Sequence, residues 1–300
     1  MRLIHLTDPH LTDLSHIRLG PLAGKRWLSA RAWHRKRQHL HRREQLDALV
    51  SQLSPRLPDA FVVTGDLCQV GLNEEIERAR DWLDALNTIA PVMLVPGNHD
   101  VFARDSVASI ERHWSPFFHR ANPATEALGQ LTLGSIQLIG LNSSLPTAPG
   151  LASGRIGHST LATLRQSLDF HRSRFRIVLL HHPPLRGIAT RRKALRDDRQ
   201  LTEVLSHAGA ELVLYGHMHR NLDHALKCAN GQSLPLLCTA SASSTVPAHP
   251  AAARQIDVTE QHTVDGTVAG WQVSVDTLQL DNRQCLSKVE GTAWTTPAAR

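Results

Sequence analysis

Aromatic residues make up only 4% of this 300-residue chain, with a single tyrosine, and cysteine occurs four times. Cys68, Cys228, Cys238 and Cys285 show no paired spacing and no CxxC, so a disulfide framework is not indicated; free buried thiols in a reducing cytoplasm are the simplest account. Also missing is any apolar stretch approaching the roughly 18–20 residues of a membrane span. A first strand beginning at residue 2 leaves no room for a signal peptide, and the expected location is cytoplasmic. There is no internal repeat and no long low-complexity tract; the Ala-, Ser- and Pro-rich segment from Thr239 to Ala253 comes nearest and reads as a loop. No linker interrupts the chain. With 41% hydrophobic residues it can bury a sizeable core, and residues 1–290 read as one domain with residues 291–300 as a frayed tail.

Five short apolar runs are present instead: Leu3 to Leu6, Ala60 to Val63, Val92 to Val95, Ile177 to Leu180 and Leu212 to Tyr215. Runs of four rich in Val, Ile and Leu fit buried strands. Each is followed by side chains that bind metals: Asp8-Pro9-His10, Gly65-Asp66, Gly97-Asn98-His99-Asp100, His181-His182 and Gly216-His217-Met218-His219. Placed past the carboxyl ends of strands, they converge on one rim of a sheet. Two divalent cations roughly 3.5–4 Å apart need a bridging anionic oxygen and several oxygen or imidazole ligands each. Asp8 and His10, two apart at a strand end, are expected to project the same way, and His217 and His219 repeat that spacing. Asp66 is the natural bridge, Asn98 offers a carbonyl oxygen and His181 completes the second site. The absence of cysteine among these donors fits manganese, iron or zinc. His182 reads either as pocket-lining or as structural beside Pro183 and Pro184, and Asp100 either as orienting His99 or as an acid at a helix N-terminus.

Helical periodicity appears between the strands, at Leu46, Leu49, Val50 and Leu53, at Ile76, Ala79, Leu83 and Leu86, and at Leu201, Val204, Leu205 and Ala208. Residues 131–142 read as a hairpin, and the β-rich tail 233–290 as strands finishing a second sheet. The class is α/β, with parallel crossovers through residue 100.

The ordered blocks D-x-H, G-D, G-N-H-D, H and G-H-x-H resemble those of the calcineurin-like metallophosphoesterases. The resemblance implies a four-layer αββα sandwich with two mixed sheets and a dinuclear metal site at the strand C-terminal ends. It places Asp8, His10, Asp66 and His219 at one metal and Asp66, Asn98, His181 and His217 at the other. His99, free of metal, would bind the phosphate and protonate the departing oxygen while a metal-bridging hydroxide attacks phosphorus. The segment from Gly65 to Gly71 with Glu74, Glu75, Trp82 and Leu83, and His181-His182-Pro183-Pro184 downstream, is similar to bacterial phosphodiesterases of the cyclic-nucleotide and glycerophosphodiester type. The implied partner is a phosphodiester or nucleotide-diphosphate substrate.

A basic insertion follows the first motif. From Gly24 to Arg43 there are eight Lys and Arg, three His and no acid, more than the net +6 of the chain. Trp27 and Trp33 lie among Arg31, Arg35, Lys36 and Arg37, a patch that would attract anionic phospholipid headgroups of the inner membrane or a nucleotide diphosphate, or else is a solvated helix whose tryptophans pack inward. Nucleic acid is the weaker reading. The insertion also resembles that of the enzymes hydrolysing UDP-diacylglucosamine in lipid A synthesis, the alternative assignment. Arg191, Arg192, Lys193, Arg196 and Arg199, with Arg104, are candidates for binding substrate phosphate. A nuclease would need a further capping domain, and an inactive scaffold would lack ligands that are present here.

Overall fold

The computed structural model describes residues 1–12, 14–15, 20, 22–35, 37–120 and 128–298. The chain runs β1 (Arg2–Leu6), α1 (Gly24–Arg35), α2 (Arg43–Leu53), β2 (Ala60–Val63), α3 (Asn73–Asn87), β3 (Val92–Leu94) and α4 (Arg104–Phe118). It continues with β4 (Leu128–Leu133), β5 (Ile136–Leu141), α5 (His158–Phe170), β6 (Phe175–Leu179), α6 (Asp198–Ala208), β7 (Leu212–Tyr215), β8 (Leu222–Lys227) and β9 (Ser233–Cys238). A short β10 (Thr245–Val246) and β11 (His249–Pro250) precede three long strands, β12 (Ala252–His262), β13 (Val268–Leu280) and β14 (Leu286–Pro297).

Two six-stranded mixed sheets result, in the orders β14-β13-β12-β1-β2-β3 and β4-β5-β6-β7-β9-β8. Alternation along β1 explains how they stack: Leu3 points into the layer between the sheets with Val62, Ile177 and Leu214, whereas Ile4 points outward with Phe61 toward the helices. The outer face of the first sheet is covered by Leu46 and Leu49 of α2, Trp82 of α3 and Trp114 of α4. The second is covered by Leu161 and Leu164 of α5 and Leu201 and Leu205 of α6. Each such aliphatic side chain, fully buried, contributes about 1.5–3 kcal/mol. The architecture is therefore the four-layer αββα sandwich, and the parallel sets β1-β2-β3 and β5-β6-β7-β9 direct their carboxyl ends to a common rim.

The tail departs from expectation in two ways. Only β9 joins the second sheet; β12 pairs antiparallel with β1, Leu3 opposite Ile256, so β12 to β14 extend the first. Residues 291–297 are not frayed, because they pair with β13 from Asp276 opposite Gly291 to Gly270 opposite Pro297. The alternating polar pattern of β14 reflects a largely exposed edge strand rather than disorder. The basic insertion folds as α1 and a turn at Arg37–His39, and Trp33 is only 4% exposed, packed with Leu14, Ala30, Val70 and Phe102. Its ring is thus unavailable to a membrane. Lys36 lies outside the described residues. Among the cysteines, Cys285 is exposed, not buried.

Candidate metal centre

The donor residues converge because the backbone turns sharply where each strand ends. Asp8, His10, Asp66, His217 and His219 all have left-handed φ, between 41° and 70°. They make up five of the eight non-glycine residues with this conformation among the described residues. The Asp-x-His pair therefore converges through this turn and not through strand pleating. Two loops are laid against each other: the Asp8 N–H donates to the Gly65 carbonyl at 2.9 Å and the His10 N–H to the Asp66 carbonyl at 3.0 Å. Gly65 and Gly97 allow the approach, since a Cβ on Gly97 would lie 2.2 Å from Asp66 Oδ1 and one on Gly65 2.3 Å from Gly97 N.

Asp100 organises this junction. Its buried carboxylate accepts N–H bonds from Asp66 (2.8 Å), Leu67 (2.8 Å), Cys68 (2.9 Å) and Gly97 (2.8 Å). Burial and the nearby Asp66 push its pKa up to about 7 against the bonds from Gly97 and Cys68. It does not orient His99. That ring is held by Nδ1–H donating to the Gln69 carbonyl at 2.6 Å, and its backbone N–H donates to Asp66 Oδ1 at 2.7 Å. Asp100 is a positioning residue for Asp66.

Two donor clusters share one carboxylate. Ligand atoms of Asp8, His10, Asp66 and His219 lie within 4.8 Å of one another, as do those of Asp66, His181 and His217. Asp66 Oδ2 is 3.3 Å from His181 Nε2, and Asn98 Oδ1 is 3.2 Å from the same nitrogen. Asp8 Oδ1 is 3.1 Å from His219 Nε2. Burial opposes ionisation of Asp66, but His181 and His99 hold it well below the carboxylate range; burial lowers His181, yet Asp66 together with Asp8 and the Thr64 carbonyl raises that imidazole to about 9. Two buried carboxylates at the rim call for positive charge.

The donor set fits divalent cations. His217 Nε2 is buried with no hydrogen-bond partner, and Asp8 Oδ1 is buried with only the donor imidazole of His219 beside it, an arrangement that costs free energy unless something else binds them. The residues flanking the donors are fixed as outer partners: His181 Nδ1–H donates to the Thr64 carbonyl at 2.7 Å and the His10 Nδ1–H to the Cys68 carbonyl at 3.0 Å. His182 is fully buried, bonded to Ser143 Oγ at 2.8 Å and packed on the His217 ring at 4.8 Å, so it supports a donor from behind.

The cleft above the donors, about 380 Å³, brings in residues that the motifs do not contain: His41, Gln69, Lys193 and Arg220, together with Arg37. His41 stacks 4.4 Å from His10 and 5.2 Å from His219, with Nδ1 3.1 Å from both Ser241 Oγ and Ser243 Oγ. Arg37 Nη1 lies 3.4 Å from His99 Nε2, so this arginine belongs to the cleft and not to an outer membrane-facing surface. The only sequence signal for either residue is the insertion itself. Of the other candidates, Arg192 and Lys193 line the adjoining space, while Arg104 and Arg191 are exposed and line neither.

The chain is 30% identical over 176 residues to a probable cyclic nucleotide phosphodiesterase of Synechococcus sp., covering 58% of this chain and 62% of the relative. It is 27% identical over 184 residues to the 3',5'-cyclic adenosine monophosphate phosphodiesterase CpdA of Haemophilus influenzae, covering 60% and 61%. It thus spans about three-fifths of the length of these relatives. A purple acid phosphatase, PPD1 from yellow lupin (Lupinus luteus) seeds, superposes with a TM-score of 0.56 at 12% identity, over 97% of this chain and 53% of that one, a likeness of fold. The family model for calcineurin-like phosphoesterases matches residues 1–221, a span that takes in every donor from Asp8 to His219; the chain belongs to that family.

Proposed function

We propose that the protein is a metal-dependent phosphodiesterase, its catalytic unit one domain that runs on past residue 290 to the end of β14. In this reading Asp8, His10, Asp66 and His219 hold one divalent cation and Asp66, Asn98, His181 and His217 a second. The observation that carries it is the single carboxylate, Asp66, common to both donor clusters. Imidazole and carboxylate donors without thiolate suit manganese, iron or zinc. Bound there, such cations supply Lewis acidity and an ionised water at neutral pH. The protein's own share lies in positioning and proton transfer. His99, held neutral because burial lowers its pKa to about 4, keeps Nδ1–H on Gln69 and offers Nε2 to the cleft, where Arg37 is ready to pair with a phosphate oxygen. An anionic substrate raises the proton affinity of that nitrogen, which can then pass a proton to the departing oxygen.

The relatives named for cyclic nucleotides favour a diester over UDP-diacylglucosamine. Cytoplasmic location and peripheral membrane contact belong to this proposal as well. No helix of the described residues is long and apolar enough to cross a membrane. The part of α1 open to an anionic surface is its outer face, with Arg31 and Arg35 exposed and Arg31 5.1 Å over Trp27.

The test is turnover of bis(p-nitrophenyl) phosphate and cyclic AMP by Mn²⁺-loaded protein, with metal content measured alongside. Two metals per chain and diester hydrolysis are expected. Asp66→Asn should lose metal, whereas His99→Ala should keep metal and lose roughly 10²–10⁴-fold in kcat. Full activity of His99→Ala, or a chain that retains no divalent metal, would overturn the reading.

A further inference from the structure

A second chamber of about 410 Å³ adjoins the metal cleft and shares Arg37, Asn98, His99, Ala152 and Lys193 with it. Its roof is α1 of the basic insertion, contributing Lys25, Leu28 and Ser29; its far wall is the 149–152 loop with Arg192. Four cations line it, Lys25, Arg37, Arg192 and Lys193, and no Asp or Glu is among the lining residues. No ion pair among the described residues takes up any of the four.

Lys25 is held in place by neutral partners, its Nζ 2.8 Å from Thr147 Oγ1 and 4.2 Å from the centroid of the Phe102 ring. Burial lowers its pKa, as expected of an ammonium partly withdrawn from water. Arg192 is fixed through Nε and Nη2 on the Gly150 carbonyl, at 2.9 and 2.6 Å. Helix α1 is tied down by Arg26, which donates to the Val70 and Gly71 carbonyls, and by Trp33 in its small core. Lys25 and Arg192 are thus presented by anchored side chains, and four cations lining one chamber, with Asp66 of the adjoining cleft the carboxylate that acts on Lys25 and Arg37, make it attractive to an anion.

We infer that this chamber receives a second phosphate carried by one substituent of the substrate, so that the preferred substrates bear phosphate in addition to the bond being cut. The inference rests on the phosphodiesterase reading and sharpens its substrate class. Hydrolysis then joins a water oxygen to the phosphorus over the metal centre and breaks its bond to one substituent. That substituent's oxygen takes up a proton as it leaves. The chamber supplies binding to the remote phosphate, which neutral substituents such as nitrophenyl or an unphosphorylated nucleoside cannot use.

The experiment compares kcat/KM of the metal-loaded protein for the dinucleotide ApA, its 5'-phosphorylated form pApA and ADP-ribose. The first two differ only by one phosphate, and the third places the second phosphorus next to the first. At least one phosphorylated substrate should exceed ApA by about tenfold or more. Lys25→Met and Arg192→Ala, each checked for an unchanged melting curve, should bring that ratio toward one, and 0.5 M salt should do the same. ApA cleaved as well as both others, or a ratio untouched in both variants, would overturn the inference while leaving the phosphodiesterase reading standing. No cleavage of any of the three, nor of bis(p-nitrophenyl) phosphate, would overturn both.

Discussion

Replacing Asp100 by Asn isolates the role of the junction behind the donors. The carboxylate accepts two N–H bonds on each oxygen, from Leu67 and Cys68 on Oδ1 and from Asp66 and Gly97 on Oδ2. An amide has one accepting oxygen, so whichever way the new side chain turns in Asp100→Asn, two buried backbone N–H groups face an NH₂. Each orphaned group costs about 1–3 kcal/mol, giving roughly 2–6 kcal/mol in all. For a chain of this size that corresponds to a melting temperature lower by roughly 3–10 °C. Because the lost bonds fix Asp66 and Gly97, metal affinity should fall as well, roughly 10–100-fold. Calorimetry and metal titration on the purified variant read the two effects separately. A variant with wild-type melting temperature and wild-type metal affinity would refute the assignment of Asp100 as the anchor of Asp66.

Gly97→Ala drives a methyl to 2.2 Å from Asp66 Oδ1, and the expected result is loss of metal with a smaller loss of stability, read by metal content and thermal unfolding. Arg176 and Glu211 form a buried bidentate pair at 2.7 and 3.0 Å, and Glu211→Gln should destabilise by about 3–5 kcal/mol in urea unfolding, less than about 1 kcal/mol being the contrary result. His5 is fully buried, bonded to Thr64 Oγ1 at 2.8 Å, and burial followed by Arg254 lowers its pKa to about 3. Below its unfolded value near 6.5 only the unfolded chain takes the proton, so stability is full above about pH 6.5 and declines as pH falls toward 3, by at most about 5 kcal/mol. His5→Gln keeps a hydrogen-bonding group without the titration; its urea midpoint should depend less on pH between about 3 and 6.5, and parallel profiles for the two proteins would exclude His5 as a source of acid lability.

Much of the fold and of the donor set is legible in the sequence because buried parallel strands write themselves as short apolar runs and every donor follows one of them. What cannot be read is what depends on distant pairing. The alternation in β12 to β14 is the same whichever sheet they join; the choice is made by the antiparallel register of β12 against β1. Trp33 among arginines has the composition of an interfacial helix, and only the small core under α1 distinguishes it from one. Arg37 and His41 carry no motif and reach the cleft solely through the path of the insertion, with His41 locked by Ser241 and Ser243 from a segment some 200 residues away. Asp100 misleads for a different reason: adjacency to His99 in sequence suggests a partnership, whereas its side chain turns back to the loop after β2.

The left-handed backbone at Asp8, His10, Asp66, His217 and His219 narrows the route by which this centre could be rebuilt for other metals. Asn, Asp and His enter that conformation more readily than most side chains, and they are also the donors in use here. Two alphabets, one of coordination and one of backbone, therefore overlap at these positions. A β-branched or bulky replacement meets about 1–3 kcal/mol of local strain at each position before its effect on coordination is felt. Exchanges among Asp, Asn and His stay within the overlap, so a search for altered metal preference is best started from those three residue types.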